Sequence, residues 1–518
     1  MREMLSLHNF KNFFDRHDIL ILCFLFLLGG VLRFLFIADI PCGIFPDQAS
    51  HGLDALRFSH GHISPVYGTN EGLFIYLVAL SHFFFGTGMW QLFVVSAGIG
   101  TATIATTYLA VKAYFGRKTA SITGFLLAVS SWHIALSRNG FRAILIPFII
   151  TLLVFFFHKL LTAITEKQRI KYYSLVGFIF ALGFYTYNAY VLFAVAVFLL
   201  TIFYGILHRK KIGLYIRTNK KPLIAALAVF CVVILPLVLF IVLFPSKYFG
   251  RASQVSIFTQ MNGAANIAAF IIHNFWDTFI GIFTQGDLNW RHNPAGKPLL
   301  FPLLTPFFAS GLIYAFFRWK KYAPLLIIFF MMMIPAAITK DGVPPHSLRL
   351  IGIIPAVFIF PAITLAYLLE YPKSKALKIG STVLVGVILA AAAWSGYRDY
   401  FGVAPVSQHY YDDFRCDLPK AASYLRQHNG ENFIIISDNF SYQSLKYLLY
   451  PVQVGYITPE VFLASTRKWL DEEYAFVVPF SYSEKYEEML KFLRQHYKAE
   501  FFTGPFGGVD FSIFRSKP

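Results

Sequence analysis

Apolar runs long enough to cross a lipid bilayer recur along the first 395 residues of this 518-residue chain. A membrane-spanning helix needs about 20 mostly apolar residues, and 57% of the chain is hydrophobic whereas 14% is charged. The sequence therefore predicts a mainly α-helical, polytopic membrane protein. About eleven transmembrane helices are expected, near residues 19–37, 89–111, 119–136, 143–161, 172–187, 190–207, 222–244, 298–317, 323–338, 350–369 and 379–395.

Lysine and arginine residues are concentrated in every second loop between these runs. The dense basic clusters lie in loops 112–118, 159–171, 208–221, 318–321 and 370–378. Basic loops of this kind stay in the cytoplasm, so we expect a cytoplasmic N-terminus. The loops on the outer face are then 38–71, 137–142, 245–297 and 339–349. The net charge of +18 therefore reflects membrane orientation and does not indicate nucleic-acid binding.

Charged residues return near Ser395, which predicts a transmembrane catalytic domain over residues 1–395 and a soluble extracytoplasmic α/β domain over residues 396–518. Short apolar or alternating runs in the second domain favour strands. These runs are FIIIS (433–437), YAFVVPF (474–480) and DFSIFRS (510–516). Helical patterns follow Pro419 and recur near 441–449, 459–470 and 483–496. The domain shows no phosphate loop or nucleophile elbow, which favours a folding and docking role.

The first outer loop, 38–71, is unusually polar for such an apolar chain. It contains the acids Asp47, Asp54 and Glu71 and the histidines His51, His60 and His62. A carboxylate near a hydroxyl can act as a general base; the alternative is an ordinary polar loop, with Asp54 and Arg57 pairing on a helix. No cofactor is indicated with certainty. A divalent cation held by Asp47, His51 or Glu71 stays open, since oxygen and imidazole ligands suit such ions.

The other outer loops contribute cationic and imidazole side chains. They are Arg138, Arg142, Arg291, His292, Lys297, His346 and Arg349. Such groups bind phosphate and stabilise a departing one, although anchoring at the lipid headgroups or ordering of a surface loop are the structural alternatives. A base and a phosphate site beside lipid indicate transfer of a group from a phosphate-linked lipid. The same residues would also suit a multi-spanning transporter or lipid-glycan flippase without covalent chemistry.

Five stretches, in order, resemble one enzyme group. They are RFLFIADIPCGIFPDQASHGLDA, SRNGFRAILIP, ALGFYTYNAY, GDLNWRHNPAGKPLL and PPHSLRLIGIIP. Over residues 20–370 the chain resembles GT-C glycosyltransferases of the protein O-mannosyltransferase and aminoarabinose transferase group, which is glycosyltransferase family 39-like. The resemblance implies a polyprenyl-phosphate-linked sugar as donor and a hydroxyl acceptor on protein, lipid or glycan. Many members have an Asp-Glu pair in the first loop, where this chain has Asp47 and Gln48, so the second acid is absent or is replaced by Glu71.

One well-placed acid without a nucleophile pair favours a single-displacement, inverting transferase with Asp47 as the base. The reacting atoms must meet at about 3–3.5 Å, which predicts that Asp47 and the nearest cation lie within roughly 10–15 Å of each other. Cys42 and Cys416 are both expected outside, where disulfides form. They can pair there, although the sequence gives no distance between them.

Overall fold

The computed structural model describes residues 15–261, 263–340, 342–466, 469, 474–479 and 486–516. Among them, two compact units are distinguished. The membrane unit comprises the described residues of Met1–Leu35, Ile63–Phe74 and Ser96–Gly402. The sheet unit comprises those of Phe36–His62, Ile75–Val95 and Val403–Pro518. The expected domain boundary at residue 395 stays a prediction.

Eight helices in the described part of the chain are long and apolar enough to cross a membrane, which makes this a multi-pass membrane protein. A ninth candidate is the pair Arg117–Val129 and Ser131–Arg138, which is bent by 59°. The eight helices are Arg16–Phe34, Met89–Phe115, Arg142–Leu161, Tyr190–Leu207, Lys220–Leu243, Trp319–Ala337, Ile351–Glu370 and Lys375–Val406. The expected helical membrane fold is confirmed, but the number of eleven spans is not.

The difference in number has local causes. The expected span near 172–187 belongs to the helix Glu166–Gly183, whose first turns are charged. The expected span near 298–317 becomes the shorter apolar stretch Pro302–Phe317. Gly72–Phe85, which was not among the eleven expected spans, is shorter still. A helix rises 1.5 Å per residue, so the 14 residues of Gly72–Phe85 do not cross a bilayer of about 30 Å. The helix Arg209–Thr218 comes directly before Lys220–Leu243. The polar stretch that follows Lys220–Leu243 contains the helices Pro245–Val255, Ile257–Gln260 and Ala264–Gly281.

A buried arginine holds the first helix in the membrane unit. Arg33 is fully buried, and each of its five guanidinium N–H groups meets a neutral acceptor. The acceptors are Gly29 O, Leu127 O, Ala128 O, His133 Nδ1 and Ser137 Oγ, at 2.7 to 3.2 Å. Because a buried cation is costly unless its donors are bonded, these contacts fix the helix Arg16–Phe34 against the bent helix pair.

The sheet unit contains a five-stranded mixed sheet. A separate hairpin in the membrane unit supplies β1 (Val66–Tyr67) and β2 (Asn70–Glu71). The strands of the large sheet are β3 (Phe433–Ile436), β4 (Gly455–Ile457), β5 (Ala475–Pro479), β6 (Tyr497–Thr503) and β7 (Val509–Ser516). Their order is β4-β3-β5-β7-β6. β3 runs parallel to β4 and β5, and β7 runs antiparallel to β5 and β6.

Alternation along the strands gives this sheet two apolar faces. Ile435 pairs with Val477, which pairs with Ile513, and these three side chains lie in one buried cluster. Their neighbours Ile434 and Phe476 lie in the other cluster. Helices cover both faces, as central strands buried on both sides require. The helices of the unit include Pro46–Ser59, Gln408–Asp413, Asp417–Gln427, Asn439–Leu449, Pro459–Ala464 and Glu487–His496.

The expected α/β character of the C-terminal region is confirmed. All three predicted strands are present, whereas β4 and β6 were not predicted. β4 has three residues, of which none is fully buried, and β6 is largely exposed, so neither has the apolar run of a central strand. Parts of the predicted helices 459–470 and 483–496 lie outside the described residues.

Candidate active site

Asp47 lies in the first turn of the helix Pro46–Ser59, and its side chain is exposed. Pro46 occupies the start of the helix, where a fixed φ favours helix initiation. The neighbouring Gln48 is fully buried, and its side-chain Oε1 accepts a bond of 2.7 Å from Phe45 N. The Gln48 side chain therefore caps the helix, whereas the adjacent Asp47 is exposed. On the same helix, Asp54 pairs with Arg57 at 3.0 Å, which is the structural alternative for these two residues.

The segment before this helix is anchored within the sheet unit. Cys42 forms a disulfide with Cys416, and their Cα atoms are 5.2 Å apart. The next residue, Gly43, lies so close to the carbonyl of Phe414 that a Cβ would approach it to 2.4 Å. Ser444 Oγ donates to Ile44 O at 2.9 Å. The backbone immediately before Asp47 is thus fixed by one covalent bond and by close packing.

Glu71 and Arg142 form a buried ion pair in the membrane unit. The Arg142 Nε donates to Glu71 Oε2 at 2.5 Å, and the side chains are 14% and 2% exposed. Arg142 Nη1 also donates to Asn70 Oδ1 at 2.7 Å, and its guanidinium lies 5.3 Å from the ring centre of Tyr187. The second carboxylate oxygen, Glu71 Oε1, is buried without a hydrogen-bond partner among the described residues. Buried polar atoms of this kind are rare and call for an explanation.

Arg138 is fully buried. Its guanidinium donates to Arg33 O at 2.8 Å and to Tyr400 Oη at 3.2 Å. The rings of Tyr400 and Phe401 lie 5.4 and 5.2 Å from it. These contacts are those of a residue that stabilises the helix bundle. The assignment of Arg138 as a phosphate ligand stays a prediction. Because the side chain is fully buried, it does not reach the lipid headgroups as an anchor.

The loop between Ala264–Gly281 and Pro302–Phe317 brings Asp287 and His292 together. His292 Nδ1 lies 3.0 Å from Asp287 Oδ2. A second loop adds Ser347, whose N and Oγ donate to the same oxygen at 2.8 and 3.1 Å. The rings of His292 and His346 stack with centres 4.9 Å apart. Two of the predicted site residues, 54 positions apart in the chain, therefore meet.

The surroundings of this cluster shift the pKa values of Asp287 and His346. Burial by itself raises the pKa of Asp287, but the neighbouring His292 and His346, together with hydrogen bonds from His292 and Asn289 N, lower it well below its usual range. Burial also lowers the pKa of His346 well below its ordinary value, and His292 and Arg349 add to this effect. The cluster therefore contains a carboxylate and a neutral imidazole near neutral pH.

The remaining predicted cations have separate partners. Lys297 is 44% exposed, and its Nζ lies 3.7 Å from Asp399 Oδ1. Arg291 Nε donates to Asn289 Oδ1 at 3.1 Å. Arg349 Nη1 donates to Thr339 Oγ1. The Lys297 side chain is thus more exposed than Arg349, which is buried.

Several residues of these contacts were not predicted as site residues, among them Asn70, Asp287, Ser347 and Asp399. Asp287 lies in the stretch GDLNWRHNP, five residues before His292. This closeness in the sequence could have identified Asp287 as a partner of His292. Asn70 and Asp399 carry no local pattern that marks them, since their partners are distant in the chain.

The sequence and the fold are similar to known glycosyltransferases. A sequence model of the family described as dolichyl-phosphate-mannose-protein mannosyltransferase matches residues 73–240. No curated protein sequence matches the chain. The structure is similar to ArnT from Cupriavidus metallidurans bound to undecaprenyl phosphate, with a TM-score of 0.58 and 12% identity over 96% of this chain and 99% of that one.

It is also similar to the oligosaccharyltransferase AglB from Archaeoglobus fulgidus in complex with an inhibitory peptide and a dolichol-phosphate. That TM-score is 0.55 with 13% identity, over 97% of this chain and 74% of that one. At such identities the similarity concerns the fold, and the expected GT-C fold is confirmed.

Proposed function

We propose that this chain is an integral-membrane glycosyltransferase that moves a hexosyl or pentosyl group from a polyprenyl-phosphate donor to a hydroxyl acceptor at the outer face of the membrane. The observation that carries the proposal is a fold similarity that extends over 96% of the chain to a protein whose structure holds undecaprenyl phosphate. The family match over residues 73–240 supports it independently, because it comes from sequence.

Asp47 is the general base of the proposed reaction. Its carboxylate accepts the proton of the acceptor hydroxyl while that oxygen bonds to the anomeric carbon of the sugar. The bond from this carbon to the phosphate oxygen breaks on the opposite side, and the electron pair leaves with the polyprenyl phosphate. The exposure of Asp47 supports this role, because a base must reach its substrate.

The leaving phosphate needs positive charge, which lowers the energy of the developing dianion. We assign this task first to Lys297, whose side chain is 44% exposed, and then to Arg291 and Arg349. The charge of Arg142 is already paired with Glu71. Glu71 is assigned to the site because its Oε1 has no hydrogen-bond partner among the residues that the structure describes. This oxygen is available to accept a hydrogen bond from a sugar hydroxyl.

The test is the conversion of Asp47 to asparagine, which keeps the shape of the side chain and removes the base. Purified full-length protein in liposomes is assayed with a panel of hexose-linked and pentose-linked polyprenyl phosphates. We expect D47N to lower the transfer rate by roughly 10²–10⁴-fold, the usual contribution of a general base. The matched control is Asp39→Asn, an exposed acid of the same loop, which should keep the wild-type rate.

Wild-type transfer by D47N would refute the role of Asp47 as base. Flipping of labelled lipid-linked sugar without any transfer by the wild type would instead support the transporter alternative.

A further inference from the structure

We propose that Asp287, His292 and His346 bind a divalent transition-metal ion of the zinc class. Each of the three residues offers one ligand atom, and these atoms lie within 4.8 Å of one another. Two imidazoles and one carboxylate are a common protein ligand set for zinc. The inference goes beyond the proposed function, since the transfer assigned to Asp47 needs no metal.

The distances are close to those of a coordinated ion. Ligand atoms about 2.0–2.1 Å from a tetrahedral zinc are about 3.3 Å apart. His292 Nδ1 and Asp287 Oδ2 are 3.0 Å apart, in a hydrogen bond that a bound ion would replace. Since the three ligand atoms lie within 4.8 Å of one another, coordination requires the most distant pair to approach by up to about 1.5 Å. The ring of His346 is stacked on that of His292, with an angle of 30° between the planes, and the third ligand therefore lies beside the first two.

An unsatisfied nitrogen points to a missing ligand. His346 Nδ1 is buried and has no hydrogen-bond partner among the described residues. Nearly all buried polar atoms in native proteins are partnered, by protein, water or an ion. A metal ion bonded to this nitrogen would account for its position.

Hydrogen bonds orient the Asp287 carboxylate, as they commonly orient carboxylate ligands in metal sites. Ser347 N and Oγ donate to Asp287 Oδ2 at 2.8 and 3.1 Å, and Asn289 N donates to Oδ1 at 2.9 Å. Such outer contacts orient a ligand and raise metal affinity, by 10–100-fold in known sites. Because both oxygens are fixed before any ion arrives, the carboxylate loses little freedom on binding.

The ion would link two loops that are distant in the chain. Asp287 and His292 belong to the loop after Ala264–Gly281, and His346 belongs to the loop before Ile351–Glu370. Lys297 and Arg349 lie on the same two loops, so metal binding would fix the backbone that carries these cations. Three protein ligands leave one tetrahedral position open, which an oxygen of water or phosphate fills.

The test measures metal binding by the full-length protein in detergent. Metal-free protein is titrated with Zn²⁺, and with Mg²⁺ for comparison, while metal content and melting temperature are recorded. We expect about one zinc ion per chain and a rise in melting temperature with Zn²⁺, because a ligand that binds only the folded state stabilises it. Mg²⁺ should leave the melting temperature unchanged.

Variants identify the ligands. His346→Ala and Asp287→Asn should each weaken zinc binding by at least about tenfold. The control is His273→Ala, whose side chain is 73% exposed and whose Nδ1 lies 3.2 Å from Asp277 Oδ2. The zinc affinity of this variant should match that of the wild type. If His346→Ala does not fold, the zinc-dependent change in melting temperature of the wild-type protein still shows whether the protein binds zinc.

The proposal is overturned if the metal-free wild type takes up no stoichiometric zinc, or if both ligand variants bind zinc as tightly as the control. Its failure is distinguishable from a failure of the proposed function. Loss of transfer in D47N with no zinc binding would refute the metal site alone, and zinc binding with undiminished transfer in D47N would refute the base alone.

Discussion

At the scale of single residues, Arg33 and Glu71 are two buried charges of the membrane unit that are accommodated in different ways. Arg33 is satisfied entirely by neutral acceptors, so its removal would unbind several carbonyl groups. Within the described part of the chain, Glu71 has the charged partner Arg142, and its second carboxylate oxygen has no hydrogen-bond partner. Residues of the second kind are the better functional candidates, since a substrate group can complete their hydrogen bonding.

The pair of Glu71 and Arg142 should be strongly coupled. Replacement of Arg142 by methionine leaves a buried carboxylate unpaired and should destabilise the protein by roughly 3–5 kcal/mol. The double variant E71M/R142M should recover most of this loss, because apolar side chains tolerate burial. Thermal unfolding of wild type, both single variants and the double variant gives the coupling energy. Additive effects of the two changes would show that the pair does not interact.

His82 should make the stability of the protein pH-dependent. It lies in Gly72–Phe85, its Nε2 is 2.9 Å from Tyr447 Oη, and burial lowers its pKa to about 4. In the unfolded chain a histidine titrates near 6.5. The unfolded state therefore takes up the proton first, and stability is full above about pH 6.5. It falls as the pH approaches about 4, by at most about 3 kcal/mol.

The measurement is the melting temperature between pH 7.5 and 4. His82→Gln should flatten this profile, whereas His60→Gln, a change at an exposed residue of the first loop, should not. An unchanged slope in His82→Gln would contradict the assignment.

At the scale of elements, the helix Pro46–Ser59 is organised by the sheet unit. It lies against the helix Asn439–Leu449, and Gly52 is so close to the ring of Tyr447 that a Cβ would approach it to 2.3 Å. Its preceding segment is tied by the disulfide of Cys42 with Cys416. The C-terminal region therefore supports the backbone that carries the proposed base. The folding and docking role expected for this region stays a prediction.

Removal of this disulfide should weaken the element. The double variant C42S/C416S should lose about 2–4 kcal/mol of stability, and its transfer rate should fall because Asp47 is less firmly held. Cys23 and Cys231 are free and exposed, so C23S/C231S is the matched control and should behave as wild type. In denatured, unreduced wild-type protein a maleimide should label only these two cysteines, and after reduction all four. Labelling of four cysteines before reduction would show that the disulfide is absent.

At the scale of the whole molecule, orientation in the membrane follows from two independent features. The dense basic loops favour the cytoplasm, and disulfides form in oxidising compartments. Both features predict that Cys42 and Cys416, which form a disulfide, lie on the outer side. The orientation is a prediction, and residues 1–14 at the N-terminus lie outside the described residues.

Reporter fusions check this orientation. Alkaline phosphatase fused after Pro518 should be active, and a green fluorescent protein at the same position should be dark. A fluorescent fusion within Arg209–Thr218, the basic helix expected in the cytoplasm, should be bright and serves as the control. The reverse pattern would place the proposed reaction on the cytoplasmic side.

The sequence by itself determined the features that depend on residues close to one another along the chain. Apolar runs predicted the membrane helices, alternation predicted three strands, and acids gathered in one loop pointed to Asp47. Where charge or length was borderline, as in Glu166–Gly183 and Pro302–Phe317, the number of spans was not settled by composition.

Only the tertiary structure decided which distant residues meet. It joined Cys42 to Cys416 across 374 positions, Glu71 to Arg142 across 71, and Asp287 to Ser347 across 60. It also buried Arg138, which the sequence presented as a cation of an outer loop. The physical reason is that hydropathy and periodicity are local properties of a chain, whereas burial and long-range contacts depend on the path by which its helices pack.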